Sequence, residues 1–196
     1  MSGFLDFIRL GFNHIAAPGG LDHLLFLLAL VAPYRVRDWR HLVAVASAFT
    51  VGHSITLALV MTATMSLPPS AIEFLIPVTI VGAALENLRR PGQAPVGWGR
   101  PVLAAGFGLI HGAGFANFLR EMFVGSPAGP LLAFNIGIEL AQLAVLALSL
   151  LLLAGLDRGL GLARKLAPHA VSLRRVAASA IAAGWAALLA LQRAPW

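Results

Sequence analysis

Six apolar runs, parted by short polar or proline- and glycine-containing breaks, fill most of this chain and limit what it can fold into. A helix needs roughly 20 apolar residues to cross the hydrocarbon core of a bilayer. On that measure the sequence predicts spanning segments at about 21–33, 41–65, 70–88, 101–119, 130–156 and 171–192. The first is short by itself. An amphipathic stretch over 3–16 precedes it, and Pro18, Gly19 and Gly20 break the two pieces apart. The other breaks are Leu67-Pro68-Pro69, the segment from Pro91 to Pro95, and Gly125-Ser126-Pro127, with Pro130 suited to the first turn of the fifth span. Period-two alternation does not recur, which argues against a barrel of spanning strands. The expectation is an all-α, polytopic membrane bundle forming a single domain over 1–196.

Composition supports that solvent. With 59% hydrophobic and 11% charged residues, the chain has too little charge to cover a water-facing surface. There is no cysteine, so disulfides, iron–sulfur clusters and thiolate metal sites are excluded, and a metal site must use histidine nitrogen and oxygen ligands. The net charge of +6 does not point to nucleic acid, because the basic residues sit in short loops between apolar runs. Arg35, Arg37 and Arg40 occupy the first loop; Arg89, Arg90 and Arg100 the third; Arg158, Arg164, Lys165, Arg174 and Arg175 the fifth. The second loop has none and the fourth only Arg120, beside Glu121. Under the positive-inside rule the odd loops are cytoplasmic and both termini lie outside, in a bacterial-type inner membrane. Asp6 and Arg9 interrupt the first stretch, which is read as retained rather than as a cleaved signal. No Walker motif is present to suggest ATP use.

Ionisable groups inside a bilayer are costly, so each is a functional hypothesis by default. His14 and Asp22-His23 bracket the Pro-Gly-Gly break, which lets the amphipathic piece fold back and bring His14 toward the other two. Two imidazoles and a carboxylate suit a borderline divalent cation such as nickel, cobalt or zinc. The bland reading makes Asp22 a helix cap. Thr50-x-x-His53-Ser54, with Thr56 a turn on, gives the second span a polar stripe; its bland reading is interhelical glue. His111 sits within Gly106-x-Gly108-x-x-His111-Gly112-x-Gly114, where glycines allow close helix approach and also loosen the helix toward a cavity. Asn135, Glu139 and Gln142 share one face of the fifth span. Glu86-Asn87 lies near the inner end of the third, beside Arg89 and Arg90, where a surface salt bridge competes with a role in an exit path. Phe49-x3-His53 and Phe107-x3-His111 look alike, but both helices run outward and so do not form an inverted repeat.

Taken in order, these residues resemble the HupE/UreJ membrane proteins. The resemblance is carried by His14…Leu21-Asp22-His23-Leu24-Leu25-Phe26, Phe49-Thr50-x-x-His53-Ser54-x-Thr56-Leu57, Glu86-Asn87, Phe107-Gly108-x-x-His111-Gly112-x-Gly114-Phe115-Ala116 and Phe134-Asn135-x-Gly137-x-Glu139-x-x-Gln142. Gly52 stands where alanine is common in that family, and the spacing from His14 to Asp22 is longer than usual. The resemblance implies a nickel or cobalt permease whose metal path is formed by His14, Asp22, His23, His53, His111 and Glu139. Thr50, Glu86, Asn135 and Gln142 would support it.

The resulting expectation is a secondary or channel-like transporter, not an enzyme, with no permanently bound cofactor. Its substrate is Ni2+ or Co2+, with other divalent transition metals left open, and its partners are the lipid bilayer and the ion. Homo-oligomerisation is left open. Histidine titrates near neutral pH, so protons compete with the metal. A membrane haem or electron-transfer protein, with His53 and His111 as an axial pair, is the alternative. A hydrolase using Ser54 is disfavoured, since His53 and Ser54 point about 100° apart on a helix.

Overall fold

In a computed structural model, the described residues are 3–89, 97–122, 128–162 and 170–195. The breaks expected at Pro91 to Pro95 and Gly125-Ser126-Pro127, and the basic residues Arg90, Arg164 and Lys165, lie outside them. Seven α-helices are present among the described residues: α1 (Phe4–Ala16), α2 (Leu21–Val31), α3 (Trp39–Met61), α4 (Pro69–Arg89), α5 (Gly99–Met122), α6 (Ala128–Leu162) and α7 (Ala170–Gln192). They match the apolar runs closely. The second span ends at Met61 rather than 65. The fifth continues to Leu162, so its 35 residues reach about 52 Å, well beyond a hydrocarbon core of about 30 Å.

Among the described residues, four helices are long and apolar enough to span a membrane, and a fifth span results if α1 and α2 count as one bent element. The two meet at 67° across the turn Pro18–Gly20. Neither half is long enough alone. Their pairing follows from the Pro-Gly-Gly break and from the buried stripe Phe7, Gly11 and Ile15, which repeats every four residues along α1. The fourth expected span, at 101–119, corresponds to α5. Its 24 residues are long enough, but glycines and Arg100, Arg120 and Glu121 dilute its apolar character. It packs instead along α3, in the most extensive helix contact of the bundle.

Helices associate in lipid where small residues let backbones meet, and this chain does so twice. A Cβ added at Gly52 of α3 would strike the Ala105 carbonyl of α5; one at Gly108 or Gly112 of α5 would strike the Phe49 or His53 carbonyl of α3. Contact positions rise together along both helices, so α3 and α5 run parallel. On the other side, Gly11 of α1 and Gly137 of α6 meet the partner backbone reciprocally, at Phe134 and at Ile8. Gly108 and Gly112 therefore serve close approach. They do not loosen the helix, which is continuous from Gly99 to Met122. A third close pair joins α4 and α7, while α2 packs against α4, α6 and α7. Arg35, Arg37, Arg40, Arg89, Arg100, Arg158, Arg174 and Arg175 belong to one end of the helix order, called the basic end below.

Gly52 is required by packing: alanine there would force the two backbones apart. Replacing Gly108 by valine is expected to destabilise the protein by about 1–3 kcal/mol. Gly106→Ala, two residues away and with nothing near its Cβ, is expected to be neutral or stabilising. Thermal unfolding in detergent, followed by helical signal, separates the two.

Candidate metal centre

The helix pairs bring histidines from four different helices into one neighbourhood. His14 at the end of α1 and His23 in the first turn of α2 meet across the bend, with ring centroids 4.6 Å apart. The His53 ring of α3 lies 6.0 Å from His14 and 6.3 Å from His23. The His111 ring of α5 lies 5.2 Å from His23. Among the described residues, ligand atoms of His14, His23 and His53 all fall within 4.8 Å of one another. Ligands about 2.1 Å from a shared ion sit about 3.4 Å apart, so these rings need to close by roughly 1.5 Å.

Their environment is dry. His53 and His111 are 0% and 1% exposed, which matters because a buried polar atom without a partner is costly. Nε2 of His14, Nε2 of His23, both ring nitrogens of His53 and Nδ1 of His111 are nonetheless buried without a protein hydrogen-bond partner. Five unpartnered imidazole nitrogens in one place are poor packing and a good donor set for a borderline cation.

His111 is oriented by Thr79. The Thr79 hydroxyl donates to the Ile76 carbonyl at 2.6 Å and also lies 2.9 Å from His111 Nε2. A hydroxyl has one proton to give, so Nε2–H of His111 is the donor in the second bond. The ring's lone pair is therefore on Nδ1. This is the arrangement by which an outer partner fixes a ligand tautomer. Aromatic rings close the group on both sides. Phe26, Phe49 and Phe107 stand one turn toward the basic end from His23, His53 and His111; Phe115 lies 4.1 Å and Phe134 5.7 Å from His14, centroid to centroid.

The carboxylates are placed elsewhere. Asp22 does not cap α2, whose N-cap is Gly20. It pairs with Arg193 at 2.9 Å, leaving Oδ1 buried and unpartnered. Glu139 accepts bonds from Ser47 and Thr50, each at 2.5 Å, and Gln142 Oε1 lies 3.3 Å from the Thr50 hydroxyl. Asn135 stands one turn away, with Oδ1 buried and unpartnered. The structure thus gathers His14, His23 and His53, sets His111 against them, and leaves Asp22 and Glu139 outside that triad. Glu86 pairs with Arg100 of α5. Ser54 donates to the Thr50 carbonyl of its own helix at 2.7 Å, so its proton points to the backbone and not to His53.

A family model described as HupE / UreJ protein matches residues 1–189. The chain belongs to the HupE/UreJ family. The match covers every histidine and carboxylate discussed above, and it makes this a membrane protein of a family linked to nickel and cobalt transport. No curated protein and no solved structure matches the chain. For this HupE/UreJ protein, sequence reasoning missed Thr79, Ser47, Arg100, Arg193 and the phenylalanine layers. Ser47 was the most legible of these, since it stands three residues before Thr50 on the polar stripe of α3.

Thr79→Val is expected to weaken Co2+ or Ni2+ binding about 10- to 100-fold, the usual consequence of losing a ligand's outer partner. Thr79→Ser is expected to retain it. Equilibrium binding to the purified protein checks both.

Proposed function

We propose that this protein is a permease for a divalent transition-metal ion, with nickel or cobalt the best-suited substrates. Grouping of His14, His23 and His53, beside His111, carries the reading. Four imidazoles from separate helices, with unpartnered nitrogens and no thiolate, suit ions that prefer nitrogen ligands. Sulfur-free sites also release such ions more readily, as transport requires.

The ion reaches the group from the end of the bundle where α2 begins, opposite the basic end. Under the positive-inside rule the basic end is cytoplasmic, so the direction is uptake across an inner membrane, with both termini outside. Asp22 is the first anionic group on that path. A dication arriving there displaces Arg193, and its partial dehydration is compensated by the histidine nitrogens. Phenylalanines on both sides of the group support reading this conformation as occluded. Glu139, with Ser47, Thr50, Asn135 and Gln142, then acts on the ion's charge from the α3–α6 interface rather than as a direct ligand. No resident cofactor, catalytic step or nucleic acid enters this reading. Lipid and the ion are the partners it needs.

The haem alternative meets a steric obstacle. At the level of His53 and His111 the backbones of α3 and α5 touch, with no room beside Gly112 even for a Cβ against the His53 carbonyl. A porphyrin cannot lie between those two helices while they remain packed.

Uptake into proteoliposomes tests the proposal. His23→Ala and His53→Ala are each expected to lower Ni2+ or Co2+ uptake about 10-fold or more, with the proteins still monodisperse in detergent. Uptake at the wild-type rate by both variants would remove the histidine group from the path.

A further inference from the structure

Directly on the basic side of the histidine group lies a layer of phenylalanine. Phe26 stacks on Phe49 with centroids 4.6 Å apart, and Phe107 is 6.3 Å from Phe26. Phe26 and Phe49 touch the histidines from below, at 5.5 and 5.1 Å from the His111 ring. Phe26 and Phe107 in turn line a cavity on the other side of that layer, whose polar groups are Glu86, Asn87 and Arg100. The chain therefore stacks three levels along one line: imidazole, phenyl, then a carboxylate and a carboxamide.

At the third level, two oxygens converge on one cationic nitrogen. Arg100 Nη2 donates to Glu86 Oε2 and, at 2.7 Å, to Asn87 Oδ1. Asn87 is fixed for this task, because its amide nitrogen donates to the Ala29 carbonyl at 2.7 Å and to Ser179 at 3.1 Å. The amide is thereby turned so that only its oxygen faces the cavity. Asn87 is buried, while Arg100 is the second residue of α5, at the edge of the bundle, and its guanidinium also lies 5.7 Å from the Tyr34 ring. A long side chain rooted at the edge can leave for water. The oxygens it would vacate are held by α4.

We propose that Glu86 and Asn87 form a second, all-oxygen station for a divalent cation, which Arg100 occupies when no ion is there. The proposal rests on the histidine group's being the first station. Oxygen donors hold nickel and cobalt less tightly than imidazole does, so the second station favours release. The resident guanidinium also sets a charge criterion. A monovalent ion replacing it brings no more charge than Arg100 already supplies and must shed water, whereas a dication brings twice the charge to Glu86. The pair thus discriminates against monovalent ions without a size filter. The phenylalanine layer separates the stations, so the ion passes from one to the other only when that layer parts.

Two variants of the full-length protein test this, with Co2+ as the probe. Wild type is expected to bind a single tight equivalent, and Arg100→Gln to bind that equivalent plus a second, weaker one, which Glu86→Gln added to Arg100→Gln removes. Glu86→Gln alone is expected to keep the tight equivalent and to lose uptake into proteoliposomes about 10-fold. Because it retains a hydrogen-bonding oxygen toward Arg100, it decides the matter if Arg100→Gln fails to assemble. The second station is overturned if well-folded Arg100→Gln binds a single equivalent only, or if Glu86→Gln takes up Co2+ at the wild-type rate. Failure of the histidine reading looks different: the tight equivalent itself would survive His53→Ala.

Discussion

Backbone contact between α3 and α5 is the interaction on which the site depends. Gly52, Gly108 and Gly112 let the two helices run parallel with their main chains touching, which sets His53 and His111 at one level and Phe49 and Phe107 at the next. The reciprocal contact of Gly11 with Gly137's helix does the same for the other half, anchoring α1 on α6 so that the Pro-Gly-Gly bend delivers His14 to His23. In lipid there is no hydrophobic force to draw such helices together, so close packing of small residues has to do it. The imidazole group is a consequence of those contacts.

Charge is handled in a consistent way around that group. Within it there are only imidazoles. Each carboxylate lies outside and is already engaged: Asp22 by Arg193, Glu86 by Arg100, and Glu139 by the hydroxyls of Ser47 and Thr50. An unpaired charge at mid-bilayer depth costs at least about 2.5 kcal/mol, and each arrangement offsets that cost in the absence of an ion. The two arginine pairs sit at opposite ends of the line of histidines, since Asp22 opens α2 and Glu86 nears the end of α4. In the proposed pathway, a dication exchanging with a tethered guanidinium would keep Asp22 and Glu86 partnered during its passage.

Much of this was legible in the sequence, and for physical reasons. Apolar runs of spanning length have one stable solution in a bilayer, so the helices and the bend at Pro18, Gly19 and Gly20 could be read directly. Histidines in such runs are costly enough to stand out, and His14, His23, His53 and His111 were all identifiable. Partners between helices were not. Asp22 and Arg193 are 171 residues apart, and no periodicity on a single helix links them. Glu86 has Arg89 and Arg90 near it in sequence, and nothing there announces its pairing with Arg100 of α5. Likewise, the shared face of Asn135, Glu139 and Gln142 was readable, but which helix it meets was not; it meets Ser47 and Thr50 rather than the histidines. The α5 glycines were ambiguous between loosening and packing until the α3 backbone was seen against them.

The account turns on one cation being shared by imidazoles from α1, α2 and α3. Anomalous diffraction from crystals of the Co2+-loaded protein tests that directly. The expected result is a cobalt peak within bonding distance, about 2.1 Å, of nitrogens from His14, His23 and His53, with the three rings drawn inward. A peak coordinated elsewhere, while these rings keep their separate positions, would contradict it.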